Sequence, residues 1–157
     1  MRKSSKALAV CIAIGMIIVL LLVTGAIPIL PSGSSGTYDF SVKVTRSTCV
    51  RPPGFILIIA DLSGFNDSVA HGAPLNPWPV IHVHVGDFVR FVVCNEDQMQ
   101  AHAFAVQTYF DSGVVLAPGD AFRIEFQATI PGSFVIYCNI FCTVHAFMVG
   151  RLVVSGS

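Results

Sequence analysis

From residue 38 onward, apolar and polar residues alternate with a period of two, the spacing of a strand with one buried face. The segments 38–45, 55–60, 80–85, 87–94, 101–106, 121–128, 133–138 and 148–154 read as strands, with no 3.6-residue helical repeat. The alternation is cleanest where Phe122, Ile124 and Phe126 interleave with Arg123 and Glu125, predicting one core face and one wet face. Turn residues punctuate the runs at Pro52-Pro53-Gly54, Gly86-Asp87, Pro118-Gly119-Asp120 and Pro131-Gly132. Several short strands with frequent turns predict an all-β fold, a Greek-key sandwich or barrel. Residues 61–79 are a longer polar insertion with three prolines, able to cover one end of the sandwich.

The start of the chain follows another pattern. Arg2, Lys3 and Lys6 lie in a basic opening, and no charged residue occurs from Ala7 to Leu30. About 20 apolar residues span a bilayer core, so residues 1–30 are expected to be one retained transmembrane helix. A secretory signal is the competing reading. Its apolar region runs only about 7–15 residues, however, and no clear small-x-small cleavage site closes this one. The flanking positive charges predict a cytoplasmic N-terminus and a single pass of the cell membrane. Residues 31–37, Pro-Ser-Gly-Ser-Ser-Gly-Thr, read as a flexible linker, and 38–157 as the extracytoplasmic domain. Cys11 falls in the anchor and reads as a packing residue.

Composition agrees: the chain is 54% hydrophobic and only 11% charged. Its formal charge of zero hides an asymmetry. Three of the nine basic residues precede the anchor, leaving six against nine acidic ones beyond it, a net charge of −3. That balance argues against a nucleic-acid partner and suits a basic protein.

The chemistry is concentrated in Cys138-Asn-Ile-Phe-Cys142-Thr-Val-His145-Ala-Phe-Met148. Thiolate, imidazole and thioether together form a soft ligand set that suits copper in both oxidation states. A further ligand from elsewhere is expected, and His102 is the candidate. Two other readings of the cysteines stand beside this one: a local Cys138–Cys142 disulfide in an exported domain, and a zinc site with Cys and His ligands. Both leave part of the residue set unused. Cys49 and Cys94 are better disulfide candidates, although sequence leaves their pairing open. His82 and His84 share a strand face and read as exposed or hydrogen-bonded histidines, with an accessory metal site or a proton relay as the sharper alternative. His71 reads as solvent-facing; Trp78 and Phe65 read as core caps, with a docking patch as the alternative. No catalytic Ser-His-Asp set or carboxylate pair emerges.

Three stretches carry a family resemblance: "VHVGDFVRFVVCNED", "LAPGDAFRIEFQATIPGSFVIYC" and "CNIFCTVHAFMVGRLVV", together spanning roughly residues 80–154. They resemble the cupredoxins, and in particular the CuA domain of cytochrome oxidase subunit II. That resemblance implies a dinuclear copper centre bridged by Cys138 and Cys142, with His102, His145, Met148 and the Ile140 carbonyl as the other ligands. It also implies a haem-copper oxidase catalytic subunit as partner and an electron-donor protein. The spacing departs from it at one point: only Thr143 and Val144 separate Cys142 from His145, where the dinuclear family usually has three residues. Cys142-x2-His145-x2-Met148 instead resembles the blue-copper loop of amicyanin and plastocyanin-like proteins. There one copper would take His102, Cys142, His145 and Met148, leaving Cys138 over. The expectation is therefore an anchored copper electron-transfer protein, first as a CuA-type oxidase subunit. The alternatives are a freestanding blue-copper carrier and a copper chaperone, the latter drawing on Met99 near His102.

Overall fold

The computed structural model describes residues 40–156. Ten strands follow one another: β1 (Lys43–Arg46), β2 (Ile56–Asp61), β3 (Gly64–Phe65), β4 (Val80–His84), β5 (Phe88–Asn95), β6 (His102–Val106), β7 (Phe110–Leu116), β8 (Ala121–Gln127), β9 (Gly132–Tyr137) and β10 (Val149–Ser155). They form two five-stranded sheets, ordered β1-β8-β5-β2-β3 and β4-β10-β9-β6-β7. In the first sheet β5 pairs in parallel with β2 and antiparallel with β8. In the second, β10 lies between β4, which it meets in parallel, and β9, which it meets antiparallel. The fold is an all-β two-sheet sandwich.

The alternating apolar residues meet in one core. Val89, Phe91, Val93, Ile124 and Phe126 come from one sheet, and Phe104, Val106, Ile136, Leu152 and Val154 from the other. Tyr109 closes one part of it, stacked on Phe126 with ring centroids 5.0 Å apart and edge-on to Phe134 at 4.8 Å. Its hydroxyl is tied to both the carbonyl and the amide of Ile130, at 2.8 and 2.9 Å, so no polar group is stranded there.

Several expectations need correcting. β1 starts at Lys43, and residues 40–42 of the expected 38–45 strand are not in it; residues 38 and 39 lie outside the described residues. β7 was not foreseen, because Asp111, Ser112 and Gly113 interrupt its apolar run. The 61–79 insertion is more structured than its composition implies, holding β3 and a 3-10 turn at Ser68–His71. Arg123 is not on a wet face: it is half-buried, with its guanidinium 5.5 Å from the centre of the Phe55 ring. The outer face of β5 is covered too, since Val92 and Cys94 are buried under Phe55, Leu57 and Ile59. Among the described residues no helix is long and apolar enough to cross a membrane. The anchor expected at 1–30 and the linker at 31–37 lie outside the described residues.

Candidate metal centre

β9 and β10 pair so that Val149 faces Tyr137, which sets Cys138 and Met148 opposite each other where the two strands part. The Cys138 amide donates to the Met148 carbonyl at 3.3 Å and closes the base of the loop. A 3-10 turn at His145–Phe147 then folds the rest back. Its bonds run from His145 N–H to the Cys142 carbonyl at 3.3 Å and from Met148 N–H to the His145 carbonyl at 3.1 Å. Short spacing thus becomes convergence. The ligand atoms of Cys138, Cys142 and His145 lie within 4.8 Å of one another. The two thiol sulfurs are 3.8 Å apart, and the Cys142 sulfur is 3.6 Å from the Met148 thioether. The Ile140 carbonyl faces the same space, 3.4 Å from the Cys138 sulfur and 3.1 Å from His145 Nδ1.

Cys138, Cys142 and Met148 are buried, whereas His145 reaches the surface. Phe141, between them in sequence, is 95% exposed, so the buried donors sit directly beneath a surface. Burial, and then the neighbouring Cys138, push the Cys142 thiol up to about 11. It carries its proton at neutral pH until a cation displaces it.

His102 opens β6 and is wholly buried. Its Nε2 is 3.0 Å from Asp97 Oδ2. Asp97 is itself fixed by the amides of Met99 at 2.8 Å and Gln100 at 3.1 Å. The Met99 amide is the largest cause holding its carboxyl below 3.8; burial opposes it, and the Gln100 amide and His102 add to it. An ionised carboxylate only accepts hydrogen bonds, so the ring proton of a neutral His102 belongs on Nε2. That leaves Nδ1 as a bare lone pair, and Nδ1 is buried with no hydrogen-bond partner. An orphaned imidazole nitrogen backed by a carboxylate is the arrangement of a metal-ligating histidine. The next residue, Ala103, donates its amide to the Cys138 sulfur at 3.3 Å, which joins β6 to the loop. Soft sulfur donors with imidazole fit a copper ion.

The structure thus brings Cys138, Ile140, Cys142, His145 and Met148 into one cluster and links His102 to it through the Ala103 amide. Cys138 and Cys142 are free thiols, and among the described residues the disulfide is Cys49–Cys94. His82 and His84 are exposed on β4, and no group of three metal-binding side chains among the described residues includes them. Phe65 is buried, His71 stacks on Trp78 at 3.7 Å, and the Trp78 Nε1–H bonds the Asn66 carbonyl at 2.8 Å.

Sequence reading missed the supports. Asp97 left one faint signal, an Asp followed two and three residues on by amides it can accept from. Gln100 Oε1 accepts from the Thr143 amide at 3.2 Å and hydroxyl at 3.0 Å. Asn139 Nδ2 donates to the carbonyls of Asp111 and Ser112, at 3.3 and 3.1 Å. Neither pairing leaves a mark in local sequence.

No family model matches the chain, and no curated protein sequence matches it. Similar solved structures exist. A copper-containing nitrite reductase from Thermus scotoductus SA-01 is 16% identical over 64% of this chain, at a TM-score of 0.48. The likeness spans only 30% of the reductase chain. The reduced Cu(I) form of a mutant amicyanin is 20% identical, with 73% of this chain and 98% of that one covered and a TM-score of 0.46. Auracyanin B is 14% identical, with 71% and 97% covered and a TM-score of 0.49.

Proposed function

We propose that this chain is a cupredoxin that holds copper at the 138–148 loop and transfers single electrons. One observation carries the reading: the buried, unpartnered Nδ1 of His102, joined through Ala103 to a cluster in which thiol and thioether sulfurs stand 3.6 Å apart. When bound, copper supplies a one-electron couple between its two common oxidation states. The residues do the rest. Asp97 holds the His102 tautomer, buried Cys142 and Met148 keep water away, and surface-reaching His145 offers the short route to a partner.

In the first reading one ion is held by His102, Cys142, His145 and Met148, as in a blue-copper carrier. The Cys138 sulfur is then a buried structural group, its contacts already supplied by the Ala103 amide and the Ile140 carbonyl. A second reading, the dinuclear centre of an oxidase subunit II, rests on a specific observation. The two sulfurs stand 3.8 Å apart with the Ile140 carbonyl against both Cys138 and His145. In either case we propose an extracytoplasmic domain anchored by residues 1–30, receiving electrons from a basic donor protein. In the dinuclear case the recipient is an oxidase catalytic subunit.

Copper content and electron spin resonance of the oxidised full chain, with and without Cys138→Ser, decide between them. One copper per chain, four hyperfine lines and an unchanged spectrum in the variant support the first reading. Two coppers with seven lines, collapsing in the variant, establish the second. A chain that takes up no copper overturns both.

A further inference from the structure

Met148 is buried, and the two carbonyls that flank it in the chain are both held by the 61–79 insertion. The Phe147 carbonyl accepts from the Ser68 hydroxyl, and the Val149 carbonyl accepts from the Trp78 amide at 2.9 Å. Two residues past Val149 the direction reverses, and the Arg151 amide donates to the Pro79 carbonyl at 2.8 Å. The insertion therefore grips the chain on both sides of the thioether.

The grip is built to close tolerance. Ser68 is wholly buried, and its Oγ also accepts the Phe65 amide at 3.0 Å. A β-carbon at Gly64 would stand 2.0 Å from Ser68 Oγ and 2.7 Å from the Phe147 carbonyl oxygen, and φ there is +93°. Glycine is thus required twice over, for space and for backbone conformation. On the other strand, a β-carbon at Gly150 would stand 2.9 Å from the Pro79 carbonyl. The Trp78 Nε1–H bond to the Asn66 carbonyl closes the insertion on itself. Two glycines permit the approach, and a buried serine and a tryptophan amide complete it.

We infer that the 61–79 insertion is a clasp that positions the Met148 thioether, with Ser68 as its positioning residue. Its consequence for electron transfer rests on the function proposed above: in copper sites with a weak thioether ligand, that ligand tunes the reduction potential. A clasp on both sides of Met148 therefore sets how closely its sulfur approaches the other donors.

The test uses the full chain and its Ser68→Ala variant, first metal-free and then copper-loaded. Dilute hydrogen peroxide is applied to the metal-free proteins, and the sulfoxide at Met148 is measured by mass spectrometry against Met99, which is 84% exposed and serves as internal reference. The clasp requires the Met148-to-Met99 oxidation ratio to rise at least roughly tenfold in the variant. It also requires the copper-loaded potential to move by roughly 30 mV, a threefold change in relative affinity at ~59 mV per decade. An oxidation ratio equal to that of the unaltered chain overturns the inference, as does a fixed potential with only a lowered melting temperature. Should Ser68→Ala fail to fold, amide exchange on the unaltered chain decides. Trp78 and Met148 opening together supports the clasp, and a freely exchanging Trp78 beside a protected Met148 overturns it. A chain that binds no copper removes the proposed function, and the peroxide ratio alone then decides the clasp.

Discussion

The two halves of the candidate metal centre are held by different means. His102 stands on a strand, buried at the start of β6, with Asp97 from the adjoining turn locking its ring. Cys142, His145 and Met148 stand on a loop whose shape depends on contacts from distant parts of the chain. Gln100 holds Thr143, Asn139 ties the loop to β7, and Ser68 holds Phe147. The strand half gets its rigidity from a sheet that would form without any metal chemistry. The loop half must draw rigidity from neighbours, one side chain at a time. The contrast suits a site that combines one fully enclosed imidazole with one that reaches solvent.

The sharpest way to break this contrast is Asp97→Asn. The variant keeps the volume but can present an amide N–H to His102 Nε2, moving the ring proton onto Nδ1 where a metal must bind. Copper affinity should fall about 10–100-fold, the usual cost of losing such a partner, in competition titrations against a chelator. The same variant has an acid signature in the metal-free protein. Because the Asp97 carboxyl lies below its ordinary 3.8 when folded, its stabilisation is complete above that value and is lost as pH falls through the folded pKa. Acid unfolding of the unaltered chain should steepen below about 3.8 relative to Asp97→Asn.

The loop half responds at the other end of the pH scale. Folding raises the Cys142 thiol from 9.0 to about 11, so the metal-free fold holds that proton more tightly than the unfolded chain does. The Cys142 contribution to stability is therefore full below 9.0 and is lost as pH rises through about 11. Denaturant unfolding at successive pH values should show this decline, and Cys142→Ala should remove its Cys142 component. The smallest expected effect is at Asn139→Ala, which removes two exposed bonds to β7. A loss of about 1 kcal/mol is expected, seen as a drop of a few degrees in melting temperature. A larger loss at Asn139 than at Asp97 would reverse the ranking of the two halves.

The same division separates what could be read from the sequence from what could not. Strand positions were legible wherever apolar residues alternate without interruption, as at Val89, Phe91 and Val93 in β5. β7 was hidden because Gly113, with φ of +62°, stands mid-strand where no pattern survives. The donors themselves were legible as residue types at short spacing. That Cys142 and Met148 touch follows from the 3-10 turn, which the spacing permits and does not require. The supports were illegible: Ser68 and Phe147 are 79 residues apart, and no local rule connects a buried serine to a distant carbonyl. Pairing of Cys49 with Cys94 was left open for the same reason, since two thiols 45 residues apart meet only through the fold.

β10 enters its sheet between β4 and β9, with Arg151 opposite Val80 and Val149 opposite Tyr137. A chain emerging from the ribosome makes β4 long before β10, so the β4 edge waits open until β10 arrives to fill the gap. Met148 immediately precedes that strand, and His145 stands three residues before Met148. The full donor set therefore exists only in a chain whose synthesis has reached β10, the strand that also completes this sheet.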